Sequence, residues 1–263
     1  MIYKIPHIQN ERERIVGEMM ALIELVSKIH IGEEIIFTND SAQNGLLISL
    51  IRILKESSYS NIVCDDLSKL SDFYIVDLKS ESSNITVSNI VKSLIDTNGV
   101  PKNLNIPLGY LFDELVCNMQ QHSGVQEGHI YASVNKGRNT IDLCFADYGI
   151  TIYGSYINTG KFLDFIGTSH AEAVNIAKEG YSTKNRPDAE NRGYGISSNT
   201  KMVVDGLNGS FAIISGTGLF HYHKSTGQNV IEMPDGFEWQ GTTIIVRIPL
   251  EIPSTFNFYD YIS

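Results

Sequence analysis

The sequence predicts an α+β protein in which a smaller α/β segment precedes a larger domain. Three observations support this fold class: short apolar runs alternate with helical patterns early in the chain, a β-hairpin pattern lies near its middle, and three strand-like runs close it. The 263 residues amount to fewer than two domains of average size. We expect a boundary near residue 99, so that an N-terminal segment of unknown role spans 1–99, the larger domain spans 100–253, and a C-terminal tail spans 254–263.

The N-terminal segment predicts helices separated by short strands. Residues 11–29 place apolar side chains at helical spacing with charges between them, and residues 45–57 repeat the pattern. A third helix is expected at 86–96, because the sequence Thr97-Asn98-Gly99 followed by Pro101 is typical of a helix end. Short strands are expected at 34–37, 61–64 and 73–77.

The rest of the chain predicts helices and strands whose ends carry recognisable signals. Strands on either side of residues 135–138 form the hairpin, because this polar turn contains Gly137. Ser169 and Glu172 have the spacing of a capping box, which predicts a helix start. Residues 181–192 are polar and contain proline, so we expect a long mobile loop of the kind that closes over ligands. The expected helices are 107–123, 169–180 and 196–207, and the expected strands are 129–134, 140–146, 210–215, 219–223 and 242–248.

Composition excludes several classes of function. Twenty Lys and Arg residues against 30 Asp and Glu residues give a formal net charge of −10, which disfavours binding to nucleic-acid backbones. The spacing of Cys64, Cys117 and Cys144 matches neither a disulfide framework nor a zinc site, as expected in a reducing cytoplasm. No stretch reaches the roughly 18 apolar residues of a membrane span, and the first residues lack the apolar core of a signal peptide. We therefore expect a cytoplasmic protein without a membrane segment.

Three polar residues form one row on the helix expected at 107–123. Glu114, Asn118 and His122 are spaced by four residues, so they lie at the edge of the arc formed by the apolar side chains rather than opposite it. The row is therefore either a polar boundary bonded to loop backbone or one wall of a binding site.

Asp147 ends a strand whose apolar residues face the core. Ile141, Leu143 and Phe145 share its face by the period of two. A carboxylate in that position is costly unless some group donates a hydrogen bond to it. Gly149 follows two residues later and permits close approach of a backbone or a flat ligand. Asp147 therefore either caps a turn or accepts a hydrogen bond from a ligand.

A third pattern surrounds the loop expected at 181–192. Gly193 and Gly195 precede a helix, where exposed backbone N–H groups and the helix dipole favour an anion. Such a glycine pair also fits an ordinary turn, and the surrounding sequence is neither a Walker A loop nor a complete dinucleotide-binding fingerprint. The nearby side chains that add charge or hydroxyl groups are Ser182, Thr183, Lys184 and Arg192.

In order, these motifs resemble those of the GHKL superfamily, which groups DNA gyrase, MutL, histidine-kinase ATP domains and anti-sigma factor kinases. The resemblance covers about residues 100 to 250 and includes Gly241-Thr242 at the start of the last strand. It is strongest for stand-alone bacterial ATP-binding proteins, in which segments similar to DELVCNMQQHS and DYGITIYGS recur. It implies a two-layer α/β sandwich of the histidine-kinase-like ATPase type with a mostly antiparallel sheet, and ATP and Mg²⁺ as cofactors.

The resemblance also implies a role for each motif residue. Asn118 would ligate the Mg²⁺ that bridges the ATP phosphates, and Glu114 would orient or deprotonate the attacking water or hydroxyl. Asp147 would accept a hydrogen bond from the adenine amino group. The other implied contacts are Gly149 and Thr242 at the adenine, Gly193 and Gly195 at the phosphates, and His122 at a position where several kinases of the group carry histidine.

Two features depart from the family pattern. Thr151 stands where many members carry a second glycine after the Asp147-x-Gly149 pair, so we expect the backbone there to be less open. Neither His7 nor His30 lies in a phospho-acceptor motif, so a self-contained sensor histidine kinase is not expected.

The expected function is that of a Mg-dependent ATP-binding regulatory protein, acting as a protein kinase on a partner or as a slow ATPase switch. Proteins of the kind that this chain resembles are often partnered with small STAS-like proteins, so a STAS-like partner is expected. The alternative assembly is a homodimer. A non-catalytic nucleotide-sensing interaction module is the alternative. Other chemistry has little support, because His221 and His223 lack a third metal ligand nearby and Ser155 is not in a Gly-x-Ser-x-Gly elbow.

Overall fold

The structure, a computed structural model, describes residues 35–37, 62–64, 73–80, 82–183, 194–233 and 239–262. Its strands are β1 (Ile35–Phe37), β2 (Ile62–Cys64), β3 (Phe73–Asp77), β4 (Glu127–Asn135), β5 (Thr140–Asp147), β6 (Ser210–Gly216), β7 (Gly218–His223), β8 (Gly227–Glu232) and β9 (Trp239–Pro249). Its helices are α1 (Ser82–Thr97), α2 (Asn105–His122), α3 (Ile152–Thr159), α4 (Leu163–Ile166), α5 (His170–Lys178) and α6 (Tyr194–Lys201). Short 3₁₀ turns at Lys102–Leu104 and Phe258–Tyr261 and a π-helical turn at Met202–Gly206 complete the described elements.

Seven of the strands form one antiparallel sheet in the order β3-β4-β5-β9-β6-β7-β8. The expected hairpin is present as β4 and β5, which pair from His129 opposite Ala146 to Asn135 opposite Thr140. β1 and β2 form a separate parallel pair. The α+β class and a mostly antiparallel sheet are therefore confirmed.

Most of the expected elements within the described ranges are present, with ends shifted by a few residues. β8, α3 and α4 were not expected from the sequence. β8 forms an edge of the sheet and its side chains are largely exposed, so it lacks the alternation of apolar and polar residues that marks a half-buried strand. The helices expected at 11–29 and 45–57 lie outside the described residues.

One face of the sheet packs against the helices to form the core. Leu143 on β5 lies opposite Val246 on β9, and both belong to the same buried cluster as α2. The ring of Phe112 on α2 meets that of Phe145 edge-on, with centroids 4.9 Å apart. Because α2 rests on β5, the polar row on α2 and the end of β5 lie close together.

The boundary expected near residue 99 does not separate two cores. β3 pairs with β4, so residues before the boundary belong to the same sheet as residues after it. Val76 on β3 and Ile90 and Leu94 on α1 are buried in the cluster that includes α2. We therefore place residues 73–97 with the larger domain, because their apolar faces are covered by it.

The residues expected as a C-terminal tail also pack against the domain. Phe258 is buried, and its ring meets Tyr110 on α2 edge-on at 5.6 Å. Phe256 and Tyr261 stack on each other, and a Cβ at Gly206 would come within 2.9 Å of either ring. The end of the chain therefore covers the start of α2 and the π-helical turn.

The face of β5 and β9 turned away from the core cluster carries a buried ion pair. Arg247 Nε donates to Asp142 Oδ1 over 2.9 Å, and the two residues are 8% and 1% exposed. Thr140 Oγ1 donates to the same carboxylate oxygen over 3.0 Å. Asp142 and Arg247 lie directly opposite each other in the strand register, which fixes the geometry of the pair.

The capping box at the start of α5 is present. Ser169 Oγ accepts a hydrogen bond from Glu172 N over 3.1 Å and donates to Glu232 Oε2 on β8 over 2.6 Å. Replacing Ser169 with alanine removes the cap, so we expect the free energy of unfolding to fall by about 1 kcal/mol. Urea unfolding measures this, with the exposed neighbour Thr168→Ala as control. Equal midpoints for the two variants would show that the cap contributes nothing.

Among the helices of the described ranges, none has both the length and the apolar character needed to cross a membrane.

Candidate functional site

A cavity opens between α2, α3 and the ends of β5 and β9. About 830 Å³ of space between the protein atoms, with the open solvent at the mouth included, lies within it. Seven of the residues singled out from the sequence line it: Asn118, His122, Asp147, Ser182, Thr183, Gly195 and Thr242. The apolar part of the wall includes Leu115, Met119, Phe145, Ile152 and Ile244.

Asp147 is the buried carboxylate of the cavity wall. It is 4% exposed and accepts hydrogen bonds from the backbone N–H groups of Gly149, at 2.9 Å, and Thr242. Burial raises the pKa of its carboxyl group to about 7, and the two backbone hydrogen bonds oppose this rise without cancelling it. The turn-capping role and a ligand-accepting role are therefore compatible, because a carboxylate offers about four acceptor positions.

Close packing explains why a glycine, Gly149, lies two residues after Asp147. A Cβ at Gly149 would overlap the carbonyl oxygen of Ser123 at the end of α2, and the neighbouring Ile150 N donates to that oxygen over 2.9 Å. Gly149 itself is not among the residues that line the cavity. The absence of a side chain here lets the strand end lie directly on the helix end.

The pair Gly241-Thr242 completes the wall beside Asp147. Gly241 has a φ of +76°, and a Cβ there would overlap the carbonyl oxygen of Asp147. Thr242 Oγ1 lies 2.9 Å from Ser215 Oγ, which also accepts a hydrogen bond from Ile152 N over 2.8 Å. Ser215 therefore joins β6, β9 and α3, a role that its own sequence surroundings do not indicate.

The polar row on α2 runs along the cavity. Asn118 and His122 line it, and Glu114 lies one turn earlier, against Gly195 at the start of α6. A Cβ at Gly195 would overlap Glu114 Oε2 and would lie 3.7 Å from Asn118 Nδ2. Asn118 Nδ2 is buried and has no hydrogen-bond partner among the described residues. Two residues of the row, Asn118 and His122, therefore line the cavity, and the amide nitrogen of Asn118 is available to a ligand.

A hydroxyl–imidazole cluster, formed by His122, Ser155 and Thr183, lies within the same cavity. Thr183 Oγ1 is 3.1 Å from His122 Nδ1 and 2.9 Å from Ser155 Oγ, and Ser155 Oγ is 3.5 Å from the same ring nitrogen. The cluster joins three separate segments: α2, α3 and the chain that follows α5. Sequence reasoning missed it, because no local pattern links these positions.

Helix α3 was missed although its ends carry signals. Thr151 is the N-cap and accepts a hydrogen bond from Gly154 N over 3.0 Å. Gly160 follows the last helical residue with a φ of +67°. A threonine and a glycine on either side of an eight-residue run are typical helix ends, so this pair was the available signal.

Three of the predicted site residues, Lys184, Arg192 and Gly193, lie outside the described residues, as does most of the loop expected at 181–192. Within the described ranges, no three His, Cys, Asp or Glu side chains come together as a metal site. His221, one of the two histidines considered for metal binding, is buried, which lowers its pKa to about 4, with the charge of His223 adding to the effect.

A scan against protein-family models and a search of the curated proteins find no match to this chain.

Proposed function

We propose that this chain is a Mg²⁺-dependent ATP-binding regulatory protein of the GHKL type, which transfers the γ-phosphoryl group of ATP to a partner protein or slowly to water. The observation that carries the proposal is the convergence of a buried carboxylate, an unpartnered amide and a glycine helix start on one cavity. The antiparallel sheet with its packed helices shows the α+β class, and the two-layer sandwich of that superfamily is part of the proposal.

The end of the cavity at Asp147 suits the adenine ring. In its charged form, a buried carboxylate needs a donor for its unused lone pairs, and the adenine amino group is such a donor. The walls around it are apolar, with Met119, Phe145 and Ile244 available to contact the faces of a flat ring. Thr242 adds a hydroxyl beside the carboxylate.

The start of α6 suits the phosphates. The backbone N–H groups of the first turn of a helix are unsatisfied, and the helix dipole favours an anion there. Gly195 has no side chain between those groups and the cavity.

Asn118 is the residue best placed to hold Mg²⁺. Its amide lies in the cavity with Nδ2 unpartnered, and a half-turn of the amide exchanges the nitrogen and oxygen, so Oδ1 can face a cation. Mg²⁺ is commonly bound by one or two protein oxygens together with phosphate oxygens and water, and this donor set fits that description. When bound, the ion would neutralise charge on the phosphates.

Glu114 is the proposed general base. Its carboxylate lies against the start of α6, beside the amide of Asn118. It also lies near Tyr110, whose hydroxyl forms a hydrogen bond with Ser198; burial and then the charge of Glu114 raise the pKa of Tyr110. From this position Glu114 can accept a proton from a water or hydroxyl that attacks the γ-phosphate.

Replacing Gly195 with alanine tests the placement of Glu114. The new Cβ would overlap Glu114 Oε2, which can turn away because it ends a flexible side chain. We expect the protein to fold and phosphate release to fall by about 10²-fold or more, as when a positioned base is lost. Gly109→Ala is the control, because it lies on the same helix as Glu114 and a Cβ there meets no atom within 4 Å. Wild-type turnover in Gly195→Ala would contradict the placement.

The proposal is tested by following the melting temperature during ATP titrations with and without Mg²⁺. A ligand that binds only the folded state at 100 times its Kd adds about 2.7 kcal/mol of stability, so the melting temperature should rise, and rise further with Mg²⁺. No shift with Mg–ATP would overturn the proposal.

A second assay separates kinase from ATPase. Labelled phosphate found on a co-purified STAS-like protein, and lost in Glu114→Gln, supports the kinase form; labelled phosphate released to water supports the ATPase form. If Glu114→Gln keeps the regulatory output while Asp147→Asn loses it, the chain is a nucleotide sensor and the catalytic part of the proposal fails.

A further inference from the structure

We propose that Thr183 is a self-phosphorylation site, whose hydroxyl accepts the γ-phosphoryl group of ATP bound in the same cavity with His122 as the base. The inference rests on the proposed function, because ATP is the phosphoryl donor. It adds an acceptor within the chain itself.

The inference is based on the contact between Thr183 Oγ1 and His122 Nδ1, which are 3.1 Å apart. Both residues line the cavity. A hydroxyl within hydrogen-bond distance of an imidazole nitrogen has the arrangement of an activated nucleophile and its base. When the imidazole carries its proton on Nε2, Nδ1 accepts the hydrogen bond and Thr183 donates it. Ser155 Oγ, 2.9 Å from Thr183 Oγ1, then donates to the threonine oxygen and holds its orientation.

The same cavity contains the groups assigned to the phosphates. Asn118 and Gly195 line it together with the hydroxyl–imidazole cluster, so the acceptor and the proposed phosphate contacts share one cavity. A nucleotide bound between Asp147 and Gly195 therefore shares the cavity with Thr183.

The chemical step balances without any further reactant. A bond forms between Thr183 Oγ1 and the γ-phosphorus, and the bond from that phosphorus to the β,γ-bridging oxygen breaks. ADP leaves with the electron pair of the broken bond, and the threonine proton passes to His122 Nδ1. His122 later returns this proton to water.

Thr183 is favoured over Ser155 as the acceptor on two grounds. Its oxygen is closer to the imidazole nitrogen, at 3.1 Å against 3.5 Å. Ser155 is the more buried of the two and lies within helix α3, whereas Thr183 lies on a non-helical segment and is half-buried. The more accessible oxygen, with the shorter contact to the base, is the better nucleophile.

The experiment uses the full chain with Mg²⁺ and ATP labelled in the γ-phosphate, followed by mass spectrometry of the intact protein and its peptides. We expect one phosphate per chain, located on Thr183, formed at a first-order rate that does not change with protein concentration, since base and acceptor belong to one chain. Thr183→Ser should retain labelling and Thr183→Val should lose it.

Two further variants test the base. His122→Gln should slow labelling by about 10²-fold or more, because it removes the proton acceptor. Thr159→Val is the matched control, because the Thr159 hydroxyl donates only to backbone carbonyl groups of α3, and labelling should be unchanged. Variants are compared only after their melting temperatures show that they fold.

Three results would overturn the inference: no label in a wild-type protein that ATP stabilises, label on Ser155 or another residue, or a rate that rises with protein concentration. Absence of both stabilisation and label would reject the proposed function together with this inference, whereas stabilisation without label rejects this inference alone.

Discussion

Replacing Asp147 with asparagine is expected to reduce ATP-dependent stabilisation strongly without lowering the stability of the ligand-free protein. The carboxylate is 4% exposed, and burial raises its pKa from 3.8 to about 7. Asparagine keeps an oxygen for the N–H group of Gly149 and replaces the other carboxylate oxygen with an NH₂ group that faces the ligand. Two donors then face each other, so ATP affinity should fall by about 10²-fold.

The pH dependence of the wild-type protein follows from the same carboxyl group. Because its folded pKa lies above its unfolded value, the contribution of Asp147 to stability is fully present below pH 4 and is lost as the pH rises through about 7. The shift corresponds to on the order of 4 kcal/mol. ATP binding should show the opposite trend, weakening as the pH falls through 7 and the acceptor becomes protonated.

Melting temperatures with and without Mg–ATP at pH 6 and pH 8, in the wild type and in Asp147→Asn, measure both effects. Asp164→Asn is the matched control, because Asp164 is exposed and is not among the residues that line the cavity. An Asp147→Asn protein with the wild-type ATP shift at both pH values would contradict the role of this carboxylate.

Replacing Arg247 with leucine is expected to cost about 3–5 kcal/mol of the free energy of unfolding. The substitution removes the guanidinium group from the Asp142 carboxylate, which is 1% exposed and keeps the hydrogen bond from the Thr140 hydroxyl. A buried charge that loses its counter-ion is costly, whereas removing both charges together costs much less.

A double-mutant cycle measured by urea unfolding tests the pair. Asp142→Asn, Arg247→Leu and the double variant provide the three differences from the wild type, and the double variant should be more stable than Arg247→Leu. A double variant whose loss of stability equals the sum of the two single losses would show that the two charges do not interact.

Elements with strong local patterns could be predicted from the sequence. α2 has apolar residues at helical spacing, the β4–β5 hairpin has a polar turn with a glycine, and α5 has its cap at Ser169. β8 could not be predicted, because an exposed edge strand needs no apolar face. The sequence signals at Gly99 and Pro101 mark the end of a helix. Such an end occurs within a domain as well as between domains, and here residues on both sides of it belong to one buried cluster.

The candidate site also contains residues that local patterns predict and contacts that only the folded chain reveals. Asn118 and His122 follow from the spacing on one helix, and the inward face of Asp147 follows from the alternation along β5. The contacts of Ser155 and Thr183 with His122 depend on where three distant segments meet, which no local pattern encodes. Gly149 has a backbone neighbour, Ser123, that only the folded chain reveals.

The most direct test of the central claim is a crystal structure of the protein with a non-hydrolysable ATP analogue and Mg²⁺. We expect the adenine amino group within hydrogen-bond distance of Asp147, the metal on the side chain of Asn118, and the phosphates at the start of α6 beside Gly195. A nucleotide bound outside this cavity, or an adenine without contact to Asp147, would contradict the claim.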